Sequence, residues 1–98
     1  MRLAIGNDHI AVDMKEHIKK YLIDRGHEVI DLGTNSKERC DYPIFGIKVA
    51  RLVASNECEK GILICGTGVG MSIVANKIHG IRAVVCSEPY SARLSRQH

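Results

Sequence analysis

The 98-residue chain is poor in aromatic residues: it has no tryptophan, three tyrosines and one phenylalanine. Proteins that bind single-stranded nucleic acid stack bases on aromatic side chains placed among basic residues, and this sequence has no such stripe. No excess of one sign of charge is present either, because 14 basic residues are set against 11 acidic ones and the formal net charge is only +3. The mild positive balance suits a small anionic substrate better than a nucleic acid.

Long apolar runs and paired cysteine motifs are absent as well. No apolar stretch approaches the ~18 residues that a membrane helix needs, and no signal-peptide pattern precedes the first apolar segment. The cysteines are Cys40, Cys58, Cys65 and Cys86, without the C-x-x-C spacing of zinc and redox motifs. These absences predict a cytoplasmic protein with reduced thiols, no metal site, and neither membrane nor nucleic acid as a partner.

What the chain does contain is an alternation of short apolar runs and amphipathic segments, which predicts strands and helices in turn. Helix one is expected to turn Met14 and Tyr21 inward and Lys15 toward solvent. The predicted strands are 2–6, 28–32, 61–64 and 82–86, and the predicted helices are 12–25, 43–55, 71–78 and one that starts at 89.

This alternation is typical of an α/β fold: a doubly wound parallel sheet in a Rossmann-like three-layer sandwich. Right-handed crossovers give the strand order 2-1-3-4 when helices one and two lie on opposite faces. We expect residues 1–98 to form one such domain. We also expect it to be the N-terminal portion of a longer protein, because helix four has no stop signal and such sheets usually have a fifth strand.

The most specific motif is the segment 62–72, where a cysteine stands between a buried strand and a glycine-spaced loop. The pattern Gly66-x-Gly68-x-Gly70 follows Cys65 and opens helix three. Backbone N–H groups converge at a helix start and favour a thiolate, an oxyanion or a phosphate. The spacing is neither that of the dinucleotide motif nor that of a P-loop. Cys65 by itself is equally well explained as a small buried hydrophobic residue.

The strand order places further polar residues beside this loop. Ligands of open α/β sheets bind beyond the carboxyl ends of the strands where the order reverses, here between strands one and three. Asp8 and His9 follow strand one, and Cys65 and Thr67 follow strand three. A carboxylate, an imidazole, a thiol and a hydroxyl would thus share one crevice. Taken singly, Asp8 also suits a helix cap and Thr67 suits an ordinary turn.

These residues carry a resemblance to a known family. The chain resembles the sugar-phosphate isomerase family that contains ribose-5-phosphate isomerase B and the galactose-6-phosphate isomerase subunits. The matching segments are 4–9, 28–34, 41–43, 61–76, 80–83 and 91–98, which together cover essentially the whole chain.

The resemblance implies that an aldose and a ketose, both pentose 5-phosphates, are interconverted through a cis-enediolate without metal or cofactor. Cys65 then matches the catalytic base, Thr67 and the loop N–H groups hold the enediolate oxygens, and His98 is the acid that opens the sugar ring. The substrate-binding positions implied are Asp8, His9, Gly66, Thr67, Gly68, Val69 and Gly70.

The resemblance also implies a homodimer or higher homo-oligomer with shared sites. Family members continue for roughly fifty more residues, and that tail is expected to supply phosphate-binding arginines, so we expect little activity from these 98 residues alone. The nearest alternative substrate is a hexose 6-phosphate, either galactose or allose 6-phosphate.

Two alternatives from other classes have weaker support. A phospho-receiver module needs an aspartate at the end of strand three, where this chain has Cys65. A nucleotide-binding domain needs its third glycine one residue later than Gly70.

Overall fold

The computed structural model describes residues 1–98 and contains three strands and four helices. The strands are β1 (Arg2–Asn7), β2 (Glu28–Asp31) and β3 (Lys60–Ile64); the helices are α1 (Val12–Asp24), α2 (Tyr42–Ala54), α3 (Val69–Asn76) and α4 (Pro89–Gln97). The strands form one parallel sheet in the order β2-β1-β3. The predicted Rossmann-like α/β fold is confirmed. None of the helices has the length and apolar character that a membrane crossing requires.

The predicted fourth strand, residues 82–86, is not part of the sheet, so the order 2-1-3-4 is wrong beyond β3. The side chain of Asn76 holds this segment instead. The N–H of Ala83 donates to Asn76 Oδ1 at 2.8 Å, and Asn76 Nδ2 donates to the Ala83 carbonyl at 2.9 Å. A groove of about 840 Å³ is lined by residues of both β3 and this segment. The two therefore face a common space and do not share the backbone hydrogen bonds that need a spacing of about 4.8 Å.

Helix α2 packs closely on the sheet because the strands carry small residues where it crosses. A Cβ added at Gly6 would lie 2.8 Å from Val49 Cγ2, and one added at Gly61 would lie 2.7 Å from Val49 Cγ1. Val49 is buried in a core cluster with Ala4 and Cys58. This close approach fixes α2 against β1 and β3, and the N-terminus of α2 then lies near the carboxyl ends of those strands.

Helix α1 turns a lysine inward, contrary to the expectation from its apolar stripe. Lys15 is completely buried, whereas Met14 and Tyr21 are more than half exposed. The Lys15 ammonium donates to Asp31 Oδ2 at 2.9 Å and to Asn35 Oδ1 at 2.7 Å, and it lies 3.0 Å from Glu16 Oε1. All three of its donors can therefore be satisfied, which is what a buried charge requires.

The buried pair stabilises its own charged state. Burial alone lowers the pKa of Lys15, but the hydrogen bonds to Asp31 and Glu16 outweigh burial and raise that pKa above its ordinary 10.5. Burial likewise raises the pKa of Asp31, but hydrogen bonds from Lys15, the Gly33 N–H and Lys19 outweigh it and hold that pKa below its ordinary 3.8. The ion pair thereby ties α1 to the end of β2.

Candidate active site

The chain segments that follow β1 and β3 meet at a pocket of about 260 Å³. The N–H of Asp8 donates to the Ile64 carbonyl at 3.1 Å, which joins the end of β1 to the end of β3. The pocket is lined by Asp8, Tyr42, Cys65, Gly66, Thr67 and Gly70. The structure thus brings Asp8 and the cysteine loop together at the point where parallel α/β sheets bind their ligands.

Cys65 is half-buried at the pocket wall, and the backbone of its own loop orients its sulfur. The N–H of Gly68 donates to Cys65 Sγ at 2.9 Å. Gly68 precedes α3 with φ 83°, a left-handed conformation that favours glycine. A Cβ there would also lie 2.8 Å from Val85 Cγ2. The loop can therefore direct this N–H at the sulfur only with glycine at position 68.

Thr67 and Gly70 add hydrogen-bonding groups to the same wall. The N–H of Val69 donates to Thr67 Oγ1 at 3.2 Å, so the hydroxyl proton of Thr67 remains for a ligand oxygen. The first N–H groups of a helix have no acceptor within the helix. Gly68 and Val69 use theirs on Cys65 and Thr67, whereas Gly70 lines the pocket and its N–H donates to no other group of the chain. The arrangement can hold the oxygen atoms of an anionic ligand.

Asp8 lines the pocket and does not cap α1: Ala11 occupies the N-cap position, and no side chain forms a cap bond there. Its side chain is buried, and Oδ1 accepts hydrogen bonds from the N–H groups of Ile10 at 3.0 Å and Ala11 at 3.1 Å. Those bonds form a turn in the loop before α1 and hold the carboxylate in one orientation. They leave Oδ2 able to accept a hydrogen bond from a ligand.

The sequence analysis missed Tyr42 as a wall of the pocket. Proline at position 43 lies in the first turn of α2, and Asp41 occupies the N-cap position without a side-chain cap bond. Tyr42 is therefore the first helical residue, and its ring packs on α3. A Cβ at Gly70 would lie 2.7 Å from Tyr42 Oη, so only glycine there admits the ring. The only signal in the sequence was the triplet Asp-Tyr-Pro itself.

Asn7 was also missed, although it precedes Asp8. Its side chain is completely buried, and Nδ2 donates to the Asp8 carbonyl at 2.8 Å and to the Thr34 carbonyl at 3.0 Å. Its Oδ1 has no hydrogen-bond partner and lies against Gly33. Asn7 therefore joins the loop after β1 to the loop after β2, and the latter leads on to Tyr42.

Alanine at position 33 is expected to destabilise the protein by about 1–3 kcal/mol, because its methyl group would overlap Asn7 Oδ1 and approach the Asn7 backbone N at 2.9 Å. Urea unfolding measures this loss. Gly66→Ala is the matched control, since a Cβ there meets only Ile10 Cδ1 at an ordinary 3.5 Å. Equal stability of the two variants would show that Asn7 yields without cost.

The remaining predicted site residues lie outside the pocket wall. His9 is half-buried, and its Nδ1 lies 3.7 Å from Cys40 Sγ. Val69 is half exposed. His98 follows α4, and its N–H donates to the Leu94 carbonyl at 3.2 Å. No three side chains of the kinds that bind metal ions come together in the chain.

Comparison with known proteins identifies relatives of the whole chain. Residues 3–98 match the model of a family described as Ribose/Galactose Isomerase. The chain is 61% identical over 97 residues to ribose-5-phosphate isomerase B of Escherichia coli. It is 47% identical over 98 residues to the galactose-6-phosphate isomerase subunit LacB of Clostridium acetobutylicum.

A solved structure of Clostridium thermocellum ribose-5-phosphate isomerase B matches the fold with a TM-score of 0.97 at 55% identity. That match covers 100% of this chain and 66% of the other. The chain also spans 65% of the length of the Escherichia coli protein and 57% of that of the Clostridium acetobutylicum subunit. These matches favour the hypothesis of an isomerase over the hypotheses of a phospho-receiver module and a nucleotide-binding domain.

Proposed function

The chain belongs to the Ribose/Galactose Isomerase family, and from that premise we propose that the protein interconverts ribose 5-phosphate and ribulose 5-phosphate. The observation that carries the proposal is the pocket in which Cys65 lies beside Asp8, Thr67 and Gly70. It combines a candidate base with hydrogen-bond donors for oxygen atoms that become charged during the reaction. The similarity to proteins named ribose-5-phosphate isomerase B supports the choice of a pentose.

In the proposed mechanism the Cys65 thiolate removes the proton from C2 of the open-chain aldose. The electrons of the C2–H bond form a C1–C2 double bond, and the carbonyl oxygen on C1 becomes an enediolate oxygen. The thiol then returns the proton to C1 while the hydroxyl proton on C2 moves to the oxygen on C1, which leaves a ketone at C2. The thiolate is the form of cysteine that can take up the proton, and the Gly68 N–H beside Sγ orients it.

The other residues bind and stabilise the substrate in this proposal. The Thr67 hydroxyl and the Gly70 N–H donate to the enediolate oxygens, which are held most tightly when their charge has developed. Asp8 accepts from a sugar hydroxyl through Oδ2, and His9 binds substrate oxygen. His98 is proposed as the ring-opening acid on the resemblance alone, because it lies outside the pocket wall. No cofactor or metal takes part in the proposed steps.

Assays with purified protein expressed from its complete gene test the activity. We expect ribulose 5-phosphate to form from ribose 5-phosphate, and in D₂O we expect deuterium at C1 of the product by ¹H NMR. Deuterium enters because a base that holds the proton during the enediolate stage can exchange it with solvent. Absence of turnover on ribose 5-phosphate would rule the proposal out.

The second candidate substrate is galactose or allose 6-phosphate, and the 47% identity to a galactose-6-phosphate isomerase subunit favours the first of these. The ratio of kcat/KM values for the pentose and hexose phosphates decides between them.

We propose in addition that the active form is a homo-oligomer with shared sites in the cytoplasm. Four unpaired cysteines are consistent with that compartment. Light scattering of the same protein measures the oligomeric state.

A further inference from the structure

The side chain of His9 lies beside that of Cys40. His9 lies in the loop between β1 and α1, and Cys40 lies in the loop between β2 and α2, 31 positions away. Cys40 Sγ is 3.7 Å from His9 Nδ1, within the range of a hydrogen bond to sulfur. Both side chains are half-buried. The contact therefore joins the loop that carries Asp8 to the loop that leads to Tyr42, and both of those residues line the pocket.

The chemistry of the imidazole gives this contact a consequence. A neutral imidazole has one N–H donor and one acceptor nitrogen, and the partner of one nitrogen decides which role the other takes. A thiol can donate its S–H to Nδ1, which leaves the proton on Nε2. A sugar phosphate presents oxygen atoms that need donors, so the Nε2–H tautomer is the useful one for binding it.

We propose that Cys40 is a positioning residue whose S–H donates to His9 Nδ1 and thereby fixes the Nε2–H tautomer and the ring orientation of His9. The proposal rests on the proposed function in one respect, namely that His9 binds the substrate. Cys40 does not touch the substrate in this account. It acts through His9 alone, so its loss should weaken binding and leave the chemical step almost unchanged.

The chain offers a graded set of variants. Cys40→Ala removes the donor, whereas Cys40→Ser keeps a donor of similar size. Cys86→Ala is the matched control, because Cys86 is exposed and its sulfur forms one hydrogen bond, to the Val84 carbonyl at 3.9 Å. For Cys40→Ala we expect KM for ribose 5-phosphate to rise about three- to tenfold, as expected from one net hydrogen bond, with kcat within about twofold. Cys40→Ser should restore most of the affinity, and Cys86→Ala should leave both constants unchanged.

The ¹⁵N NMR signals of the His9 ring test the proposal without any assay of activity. At a pH where the ring is neutral, we expect the unchanged protein and Cys40→Ser to show a protonated Nε2 and an unprotonated Nδ1. In Cys40→Ala we expect averaged signals from the two tautomers. An Nδ1–H tautomer in the unchanged protein overturns the proposal, and so does the same tautomer with and without the thiol. An equal rise of KM in the serine and alanine variants also overturns it, because packing alone would then explain the effect.

Failure of the proposed function gives a different pattern. A protein that does not isomerise ribose 5-phosphate but loses its single His9 tautomer in Cys40→Ala would retain the positioning role and contradict the assigned reaction. A protein that isomerises the sugar while its His9 signals ignore Cys40 would retain the reaction and contradict the positioning role. If Cys40→Ala does not fold, the tautomer observed in the unchanged protein and in Cys40→Ser still decides the outcome.

Discussion

Cys65→Ala is expected to lower kcat for ribose 5-phosphate by about 10²–10⁴-fold, the usual contribution of a positioned acid–base group. The reason is that Cys65 is the only thiol at the wall of the pocket that also presents Asp8, Thr67 and Gly70. Cys65→Ser is expected to be similarly poor, because a hydroxyl is a much weaker acid than a thiol and is hardly ever ionised at neutral pH. Stopped assays of product formation measure the loss, and circular dichroism checks that the fold is retained.

Alkylation of the unchanged protein gives an independent test. Iodoacetamide should inactivate the enzyme at Cys65, and ribose 5-phosphate should protect it, as mass spectrometry of peptides will show. Cys58 should react far more slowly, because burial raises the pKa of its thiol. Cys86→Ala supplies the matched activity control, since that cysteine is exposed and lies outside the pocket. Full activity in Cys65→Ala would show that another group carries the proton.

Asp31→Asn is expected to lower the free energy of unfolding by about 3 kcal/mol, because it leaves the ammonium of Lys15 buried without its main counter-charge. Lys15→Met should cost less, since Asp31 keeps Lys19 at 3.2 Å and the N–H of Gly33 at 3.0 Å. Urea unfolding measures both. The control is Lys37→Ala, which breaks an exposed pair with Asp13 and should change stability by less than about 0.5 kcal/mol. A loss in Asp31→Asn no larger than in the control would contradict the importance of the buried pair.

The same pair predicts how stability depends on pH. The pKa of Asp31 is lower in the folded state than its ordinary 3.8, so its contribution is complete above that value. As the pH falls below it, the unfolded chain takes up the proton first and stability declines until the folded carboxyl also protonates. The pKa of Lys15 is raised above 10.5, so its contribution is complete below that value and is lost as the pH rises through the folded pKa. Asp31→Asn should therefore reduce the slope of stability against pH in acid, and an unchanged slope would count against the assignment.

Much of the architecture could be predicted because it depends on local patterns. Short apolar runs between amphipathic segments placed β1, β2, β3 and the helices within a few residues of their observed bounds. The prediction of a strand at residues 82–86 was wrong because an extended apolar segment becomes a strand only when a neighbouring strand shares its hydrogen bonds. Here the segment bonds to the Asn76 side chain instead, and it faces a groove that β3 also lines.

The candidate site was likewise predicted only in part. The glycine spacing marked the loop after Cys65, and the expected strand order brought Asp8 to it. Tyr42 and Asn7 were missed because their places depend on close approaches to Gly70 and Gly33, and such contacts leave no period or spacing in a sequence.

The sequence by itself determined the alternation of strands and helices, the parallel sheet and the cysteine loop at the end of β3. These features follow from the side-chain periodicity and backbone preferences of neighbouring residues. Only the tertiary structure decided that Lys15 lies inside, that Cys40 meets His9 and that residues 82–86 do not pair with the outer edge of β3. Each of these depends on a partner distant along the chain, and burial of a charge or pairing of a strand is favourable only where such a partner supplies the matching group.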